Sequence, residues 1–503
     1  MSSPTLDDAK RRSTEKLDPE RDVETLELAP ASEYYVSHPF MRKLLSWGVE
    51  ARGILPVPRE ERTDTQYNRI FFIWLSANFN ILSFSAGSLG PAVFGLGLRD
   101  SCLVILFFNL LASLLPAYLT TWGPRLGLRQ MCLSRYSFGF FGVIVPSIFN
   151  LASMCGFCIL NAILGGQTLA SVSGGNLSWS VGIVIVSVVS LFISFCGLKF
   201  LSWYERLAWL PVLLVYVVAL GIGGKHLINP PPAEPADART ILTFASTIAG
   251  FVITYSPLAS DFTTYFKPDV PAWKIFWYSY LGLNIPIISV QCLAAAVVVA
   301  VPTVPAWSDG YADGNVGGLI QAMLRPAGGF GQFLTVLMAL SVTANVAPTL
   351  YSFCLSFQVC MPFLAPVPRY VFSVLATAII VPLSIVGATR FYSTLTDFLG
   401  LIGYWASAYA AVVLMEHVIV RKGRFASYDL RYWDSPRKLP TGLAALGACA
   451  LACALIVPSM DQVWFVGPIA QKTGDIGFEL AFAATAVFYV PLRHLELRFR
   501  PMV

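Results

Sequence analysis

Long uncharged stretches alternate with short charged ones along the whole chain. No Asp, Glu, Lys or Arg occurs from Ile70 to Leu98, from Tyr136 to Leu198, or from Pro326 to Pro368. A helix crosses a bilayer with about 20 apolar residues, so each of the two longer runs holds two crossings, or one crossing and its loops. A soluble core would be built from amphipathic elements with a wet outer face, which these stretches lack. The pattern predicts twelve spans, at roughly 70–97, 101–122, 143–170, 178–197, 206–226, 240–265, 274–302, 329–358, 369–388, 392–420, 440–459 and 475–492. They read as helices, because in lipid each segment must satisfy its own backbone. Barrel strands would instead show short alternating segments.

Composition and charge narrow the class. Of 503 residues, 56% are hydrophobic and 13% charged, about half the charge usual in soluble domains. Residues 1–69 are polar and charged without a signal-peptide pattern. They predict a cytoplasmic tail, disordered to about residue 35, and 493–503 predicts a second tail. Loops on the side of the N-terminus carry 14 Lys and Arg, those on the other side 6, which places both termini in the cytoplasm. The ten cysteines lie scattered in apolar stretches and read as small core residues. The four histidines form no ligand pair, so neither a metal nor a cofactor is expected. No phosphate loop of the GxxxxGK[ST] type occurs, nor a nucleophile–base motif, nor a large soluble domain. A nucleotide-driven pump and an enzyme are disfavoured, and nucleic acid is not an expected partner. Gradient-driven transport within a lipid bilayer is left.

Secondary transporters hold substrate near the midplane, at interrupted helices. The first span contains Asn78-Phe79-Asn80 and then Ser83 to Pro91, where Gly87, Gly90 and Pro91 are costly in a continuous helix. The sixth contains Thr254-Tyr255-Ser256-Pro257 and ends near Asp261. These spans are five apart, as expected if 70–226 repeats as 240–420 and 440–492 adds two helices. The alternative is that Gly and Pro only let helices pack closely. Asn161 stands one turn after Phe157 on span three, and Asn345 and Thr349 flank Pro348 on span eight. A buried amide needs a partner, either another helix or the polar edge of a nitrogen heterocycle. Phe157 and Tyr255 are either ring-stacking groups or ordinary core.

A series of short motifs runs through the chain. Trp47-Gly48-Val49-Glu50-Ala51-Arg52-Gly53-Ile54 comes first, then Trp74-Leu75-Ser76-Ala77-Asn78-Phe79-Asn80 and Gly87-Ser88-Leu89-Gly90-Pro91. Arg135-Tyr136-Ser137-Phe138-Gly139, Asn161-Ala162-Ile163-Leu164-Gly165-Gly166-Gln167, Ala259-Ser260-Asp261-Phe262-Thr263-Thr264-Tyr265, Gly403-Tyr404-Trp405 and Glu416-His417 follow. In order and spacing, over about 47–440, the chain resembles the fungal purine–cytosine permeases, a branch of the nucleobase–cation symporter family.

The resemblance implies an all-α polytopic membrane protein of twelve transmembrane helices. Its fold would be the 5+5 inverted-repeat, LeuT-like transporter fold with discontinuous helices 1 and 6. It implies proton-coupled uptake of nucleobases, cytosine and purines, across the plasma membrane by alternating access. It places Ser83 or Ser85 in the substrate region, Asn161 as the polar ligand of span three, and Asn345 with Pro348 on span eight. Phe157 stands where the family commonly has Trp on span three, Tyr255, or Phe251 in an alternative register, where it has Trp on span six, and Thr349 where an Asn usually follows the proline. The lost amide keeps vitamin B6 or another nitrogen heterocycle open as substrate, and a non-transporting nutrient sensor is the other alternative. Sodium-dependent relatives use adjacent hydroxyls on span eight. Thr343-Ala344 supplies one, which favours protons. Asp261 and Glu416 are the candidates for proton coupling or gating, against helix-capping and structural roles. Gly400 and Gly403 are candidate hinges that let span ten close over the outer side.

Overall fold

The computed structural model describes residues 53–174, 176–195, 197–364, 367 and 369–500. The N-terminal tail expected to be disordered to about residue 35 and the last three residues lie outside them. Sixteen helices carry the architecture: α1 (Arg69–Asn78), α2 (Ile81–Ala92), α3 (Leu98–Ala112), α4 (Leu114–Thr120), α5 (Ile144–Val172), α6 (Trp179–Phe195), α7 (Gly197–Gly223), α8 (Ala238–Ile253), α9 (Ala272–Ala300), α10 (Val316–Leu324), α11 (Gly328–Leu340), α12 (Thr343–Cys360), α13 (Arg369–Gly387), α14 (Phe391–Met415), α15 (Leu443–Ile456) and α16 (Gly477–Phe499). Among the described residues, eight helical stretches are long and apolar enough to cross a membrane, or nine if the bent pair α1–α2 is one span. The stretches Val316–Cys360 and Tyr370–Val420, of 45 and 51 residues, exceed what one crossing needs. A 3-10 turn at Ala388–Arg390 divides the second. α6 and Leu443–Ser459 are shorter apolar helices. Each expected span overlaps one of these helices.

The first span breaks where its side chains can replace the lost ladder. α1 and α2 meet at 54°, and Phe79 between them leaves helical geometry (φ −89°, ψ 70°). Asn80 caps α2 by accepting from the Ser83 amide (2.9 Å) and also donates to Ala77 O (2.7 Å). Ser83 Oγ donates to Asn78 O (2.6 Å), Tyr216 of α7 donates to Asn80 O (3.0 Å), and the Ile81 amide donates to Ser341 Oγ (3.2 Å). An interruption inside a bilayer is tolerated only with such substitutes. Gly87, Gly90 and Pro91 lie inside α2 and do not mark the break. A Cβ on Gly87 would stand 2.3 Å from Gln291 Cα, so this glycine lets α2 and α9 touch.

Span six tightens instead of bending. α8 ends at Ile253, and after Thr254 and Tyr255 the chain continues as a 3-10 helix, Ser256–Phe262, with Pro257 in its first turn. Asp64, just before α1, pairs with Phe266, just after span six, so the two irregular spans run antiparallel and α8 enters from the far side, opposite the start of α1. Span eight is also interrupted, at Ser341 and Val342 between α11 and α12. That break was not legible in the sequence, because no Gly or Pro marks it. α5 packs on α6 and α12, α9 on α1 and α2, and α8 on α3 and α14; α15 and α16 form an outer pair against α14.

Candidate substrate site

The broken helices bring four spans to one hydrogen-bonded cluster. Asn161 of α5 donates through Nδ2 to Asn345 Oδ1 on α12 (2.9 Å) and to Phe157 O one turn back (2.8 Å). Asn345 Nδ2 in turn donates to Ala77 O at the end of α1 (2.7 Å). Tyr255 of span six donates its hydroxyl to Asn78 Oδ1 (2.7 Å). Each group satisfies another across helices, as buried polar groups must.

A cavity opens beside this cluster, lined by Asn150, Ser153, Met154, Phe157, Thr254, Tyr255, Leu258, Asn345 and Thr349. Of the residues singled out in the sequence, Phe157, Tyr255, Asn345 and Thr349 form its walls. Asn161 stands behind Asn345, whereas Ser83, Ser85 and Pro348 are not on the walls. Asn150, Met154, Phe157 and Asn161 recur at spacings of four, three and four, one face of α5. That periodicity was the signal by which Asn150 and Met154 could have been found. Two buried amide oxygens, Oδ1 of Asn150 and of Asn161, have no hydrogen-bond donor. Asn150 Nδ2 meanwhile donates to Ser356 Oγ (3.0 Å), and Trp405 Nε1 donates to Ser153 Oγ (2.9 Å). Thr349 donates to Asn345 O (2.7 Å). The cavity has free room for about one water molecule, so its walls stand together.

Both ends of the pathway are closed. On the far side Tyr392 of α14 bonds through its hydroxyl to Ser88 Oγ of α2 (3.1 Å) and to the Tyr311 hydroxyl (2.5 Å). Deeper, the Phe398 ring of α14 meets Phe157 edge-on at 5.3 Å, seated on Gly156. On the other side the 3-10 segment of span six is gripped by residues 120–130. Ser260 Oγ donates to Leu128 O (3.1 Å), Thr263 Oγ1 to Thr120 O (2.8 Å), and Arg129 to Asp261 O (2.5 Å).

The candidate coupling residues sit at the periphery of this cluster. Asp261 accepts from the Gln130 amide (2.8 Å) at the start of the short helix Gln130–Leu133. Glu416, in a π-helical turn after α14, is enclosed by Arg421 and Arg493, both at 3.0 Å, and by the Tyr489 hydroxyl at 2.8 Å. Gly400 and Gly403 lie inside continuous α14. Gly400 faces the Gln462 side chain, and Gly403 lets α14 touch Gly250 of α8. Asp397 accepts from the Val463 amide (3.1 Å). Among the described residues no group of His, Cys, Asp and Glu could hold a metal ion, and the described cysteines are free. A buried acid outside the expected spans appears here. α7 begins at Gly197, not near 206, and takes Glu205 into the helix.

The profile of the family described as permeases for cytosine/purines, uracil, thiamine and allantoin matches residues 56–480. The chain belongs to this family. The permease is 36% identical over 457 residues to the purine-cytosine permease fcyB of Emericella nidulans, covering 90% of this chain and 89% of that one. It is 34% identical to a purine-cytosine permease of Saccharomyces cerevisiae over 92% and 88% of the two chains. A vitamin B6 transporter of the same yeast is more distant, at 28% over 91% and 89%. In fold the permease is similar to a nucleobase-cation-symport-1 family transporter solved in a closed conformation with bromovinylhydantoin bound. The TM-score is 0.71 at 16% identity, covering 90% of this chain and 96% of that one. The permease is therefore an all-α polytopic transporter of the LeuT-like fold, not an enzyme.

Proposed function

We propose that this permease carries nucleobases, cytosine and purines, into the cell together with protons by alternating access. In this reading it lies in the plasma membrane with both termini in the cytoplasm, and the far side faces outward. The observation that carries the substrate class is the pair of donor-less amide oxygens, on Asn150 and Asn161, beside a cavity walled by Phe157 and Tyr255. Acceptors in a dry site call for N–H donors, and two aromatic walls call for a flat ring. A nucleobase supplies both. The higher identity to purine-cytosine permeases than to the vitamin B6 transporter supports the same choice.

Entry of a ring must part the walls. Phe157 and Tyr255 then lie against its faces while Asn150, Asn161, Asn345 and Thr349 read its edge. The base takes over bonds that the amides now make to one another, so a ligand lacking them leaves buried groups unpaired and is rejected strongly. Ser83 and Pro348 serve the shape of spans one and eight, and Ser85 is buried within α2. Outward opening requires Tyr392 to leave Ser88. Inward opening requires the 3-10 end of span six, with Asp261, to leave residues 120–130. Protons drive accumulation only if the two states bind them with different affinity.

The test is uptake of radiolabelled cytosine and adenine in yeast lacking its own permeases, with unlabelled bases, nucleosides and pyridoxine as competitors. Saturable accumulation that rises as external pH falls and is blocked by bases is expected. Competition by pyridoxine alone would move the substrate to vitamin B6, and absence of any uptake would leave a nutrient sensor.

A further inference from the structure

The geometry points to Glu205 of α7 as the residue that carries the transported proton, a role that rests on the symport reading above. Its side chain is fully buried, and neither carboxyl oxygen has a hydrogen-bond partner. Residue 205 lies five residues into the span Phe200–His226, about 8 Å along the helix. An unpaired carboxylate at such depth costs far more than the neutral acid. In this closed conformation Glu205 is therefore held as the protonated acid.

Among the described residues no hydrogen bond or ion pair reaches the Glu205 carboxyl. α1 carries Arg69, which is paired with Asp64 at 2.5 Å. α6, α10 and α11 carry no charged residue, and α12 carries only Tyr351 and two cysteines as titratable groups. On α7 itself Arg206 reaches Gln66, and Tyr204 pairs with Thr343. Asp261 and Glu416, by contrast, already have strong partners.

The position also links to the substrate cluster. Ser76 Oγ donates to the Glu205 carbonyl, and the next residue, Ala77, offers the carbonyl that holds Asn345. Thr343 donates to Leu340 O (2.7 Å), so the Tyr204 hydroxyl is the donor in its bond to Thr343 Oγ1 (2.5 Å). Thr343 stands two residues before Asn345. An ionised Glu205 would turn to these hydroxyls for hydrogen bonds, and both belong to backbone that shapes the site. Proton occupancy at Glu205 and the arrangement of Ala77 and Asn345 are thus coupled through α1 and the start of α12. Binding and release of the proton need no other reactant: the carboxylate takes it from water on one side and returns it to water on the other.

Two measurements on the full-length protein in proteoliposomes test this. The first is infrared spectroscopy at neutral pH. In the difference spectrum between the unmodified protein and Glu205→Gln, one carbonyl-stretch component of a protonated carboxylic acid is expected to be lost; a spectrum without that difference overturns the assignment. The second is uptake of radiolabelled adenine under an imposed pH gradient. The unmodified protein should accumulate about tenfold per pH unit for one proton per base. Glu205→Gln should only equilibrate, with a ratio of about 1, and lose its pH dependence. Accumulation by Glu205→Gln with an unaltered pH profile overturns the proposal. Should that variant not fold, Glu205→Asp must shift the pH midpoint of uptake, and an unshifted midpoint overturns it equally. If the unmodified protein moves no base, the nucleobase reading fails while the infrared band still decides where the proton sits.

Discussion

Asn161 and Asn345, 184 residues apart in the chain, share a hydrogen bond of 2.9 Å. Asn161 spends both of its amide hydrogens, on Asn345 and on Phe157 O, and leaves its oxygen without a donor. Asn161→Ala would leave Asn345 Oδ1 unpaired, a penalty of about 1–3 kcal/mol. Asn161→Asp keeps the shape but sets an acceptor against two acceptors. Both variants should lose tenfold or more of base uptake while a fluorescent fusion reports normal amounts at the cell surface. Near-normal uptake by either would remove Asn161 from the substrate site.

Thr349 lines the cavity and donates to its own helix at Asn345 O, so toward a ligand it can only accept. Thr349→Asn adds an amide with donors as well. Preference in a competition panel should move toward bases that present ring nitrogen acceptors, by about tenfold for one well-placed bond. A panel identical to that of the unmodified protein would show that residue 349 does not touch the base.

The Glu416 carboxylate joins span ten to α16 through Arg493 and holds Arg421 as well. All three groups are almost fully buried. Removing the acid takes away the carboxylate that both guanidiniums share, leaving Arg421 with Ser427 O and Arg493 with Glu496, at a cost of about 3 kcal/mol. Glu416→Ala should lower the melting temperature of the detergent-solubilised protein and its abundance in membranes. Unaltered melting would mean that this cluster does not hold α16 in place.

On the far side, Tyr392 is bonded to both Ser88 and Tyr311. Tyr392→Phe removes both bonds, each worth about 1 kcal/mol. Opening of this end should become about tenfold more frequent or more, read as faster hydrogen–deuterium exchange over residues 305–314. Exchange at the original rate would show that Tyr392 is not the clasp.

Asp475, in the loop before α16, gives a pH signature. It receives the Tyr404 hydroxyl, the Asp461 amide (3.1 Å) and the Gly477 amide (2.9 Å). Burial nevertheless outweighs these bonds and raises its carboxyl above the ordinary value of 3.8. An acid whose folded value is raised binds its proton more tightly folded than unfolded, so it favours folding at low pH and this contribution is lost as pH rises through the raised value. Melting temperature should fall over that interval, and Asp475→Asn should flatten the slope there. An identical slope in the variant would assign the pH dependence to other groups.

How much of this was legible in the chain differs from element to element. The uncharged runs fixed the helical class and the order of the spans, because hydropathy is carried by each segment alone. Asn78 and Asn80 could be read as a break because their short amides cap helices locally. Gly87 to Pro91 looked like a break and proved to be packing, since the atom that a Cβ would strike belongs to Gln291 on another helix. Glu205 falls outside the span that hydropathy predicts, because hydropathy trims a helix at its first charge even where the backbone continues.

The order of apolar and polar residues determined by itself that this chain lives in a membrane, the order of its spans, and which amides and rings they must bury. The tertiary structure alone decided which of these groups meet. The hydrogen bond between Asn161 and Asn345, the Glu416 cluster and the isolation of Glu205 depend on side chains from distant spans arriving within about 3 Å of one another or failing to do so. Such partnerships follow from packing in three dimensions, on which a one-dimensional hydropathy pattern is silent.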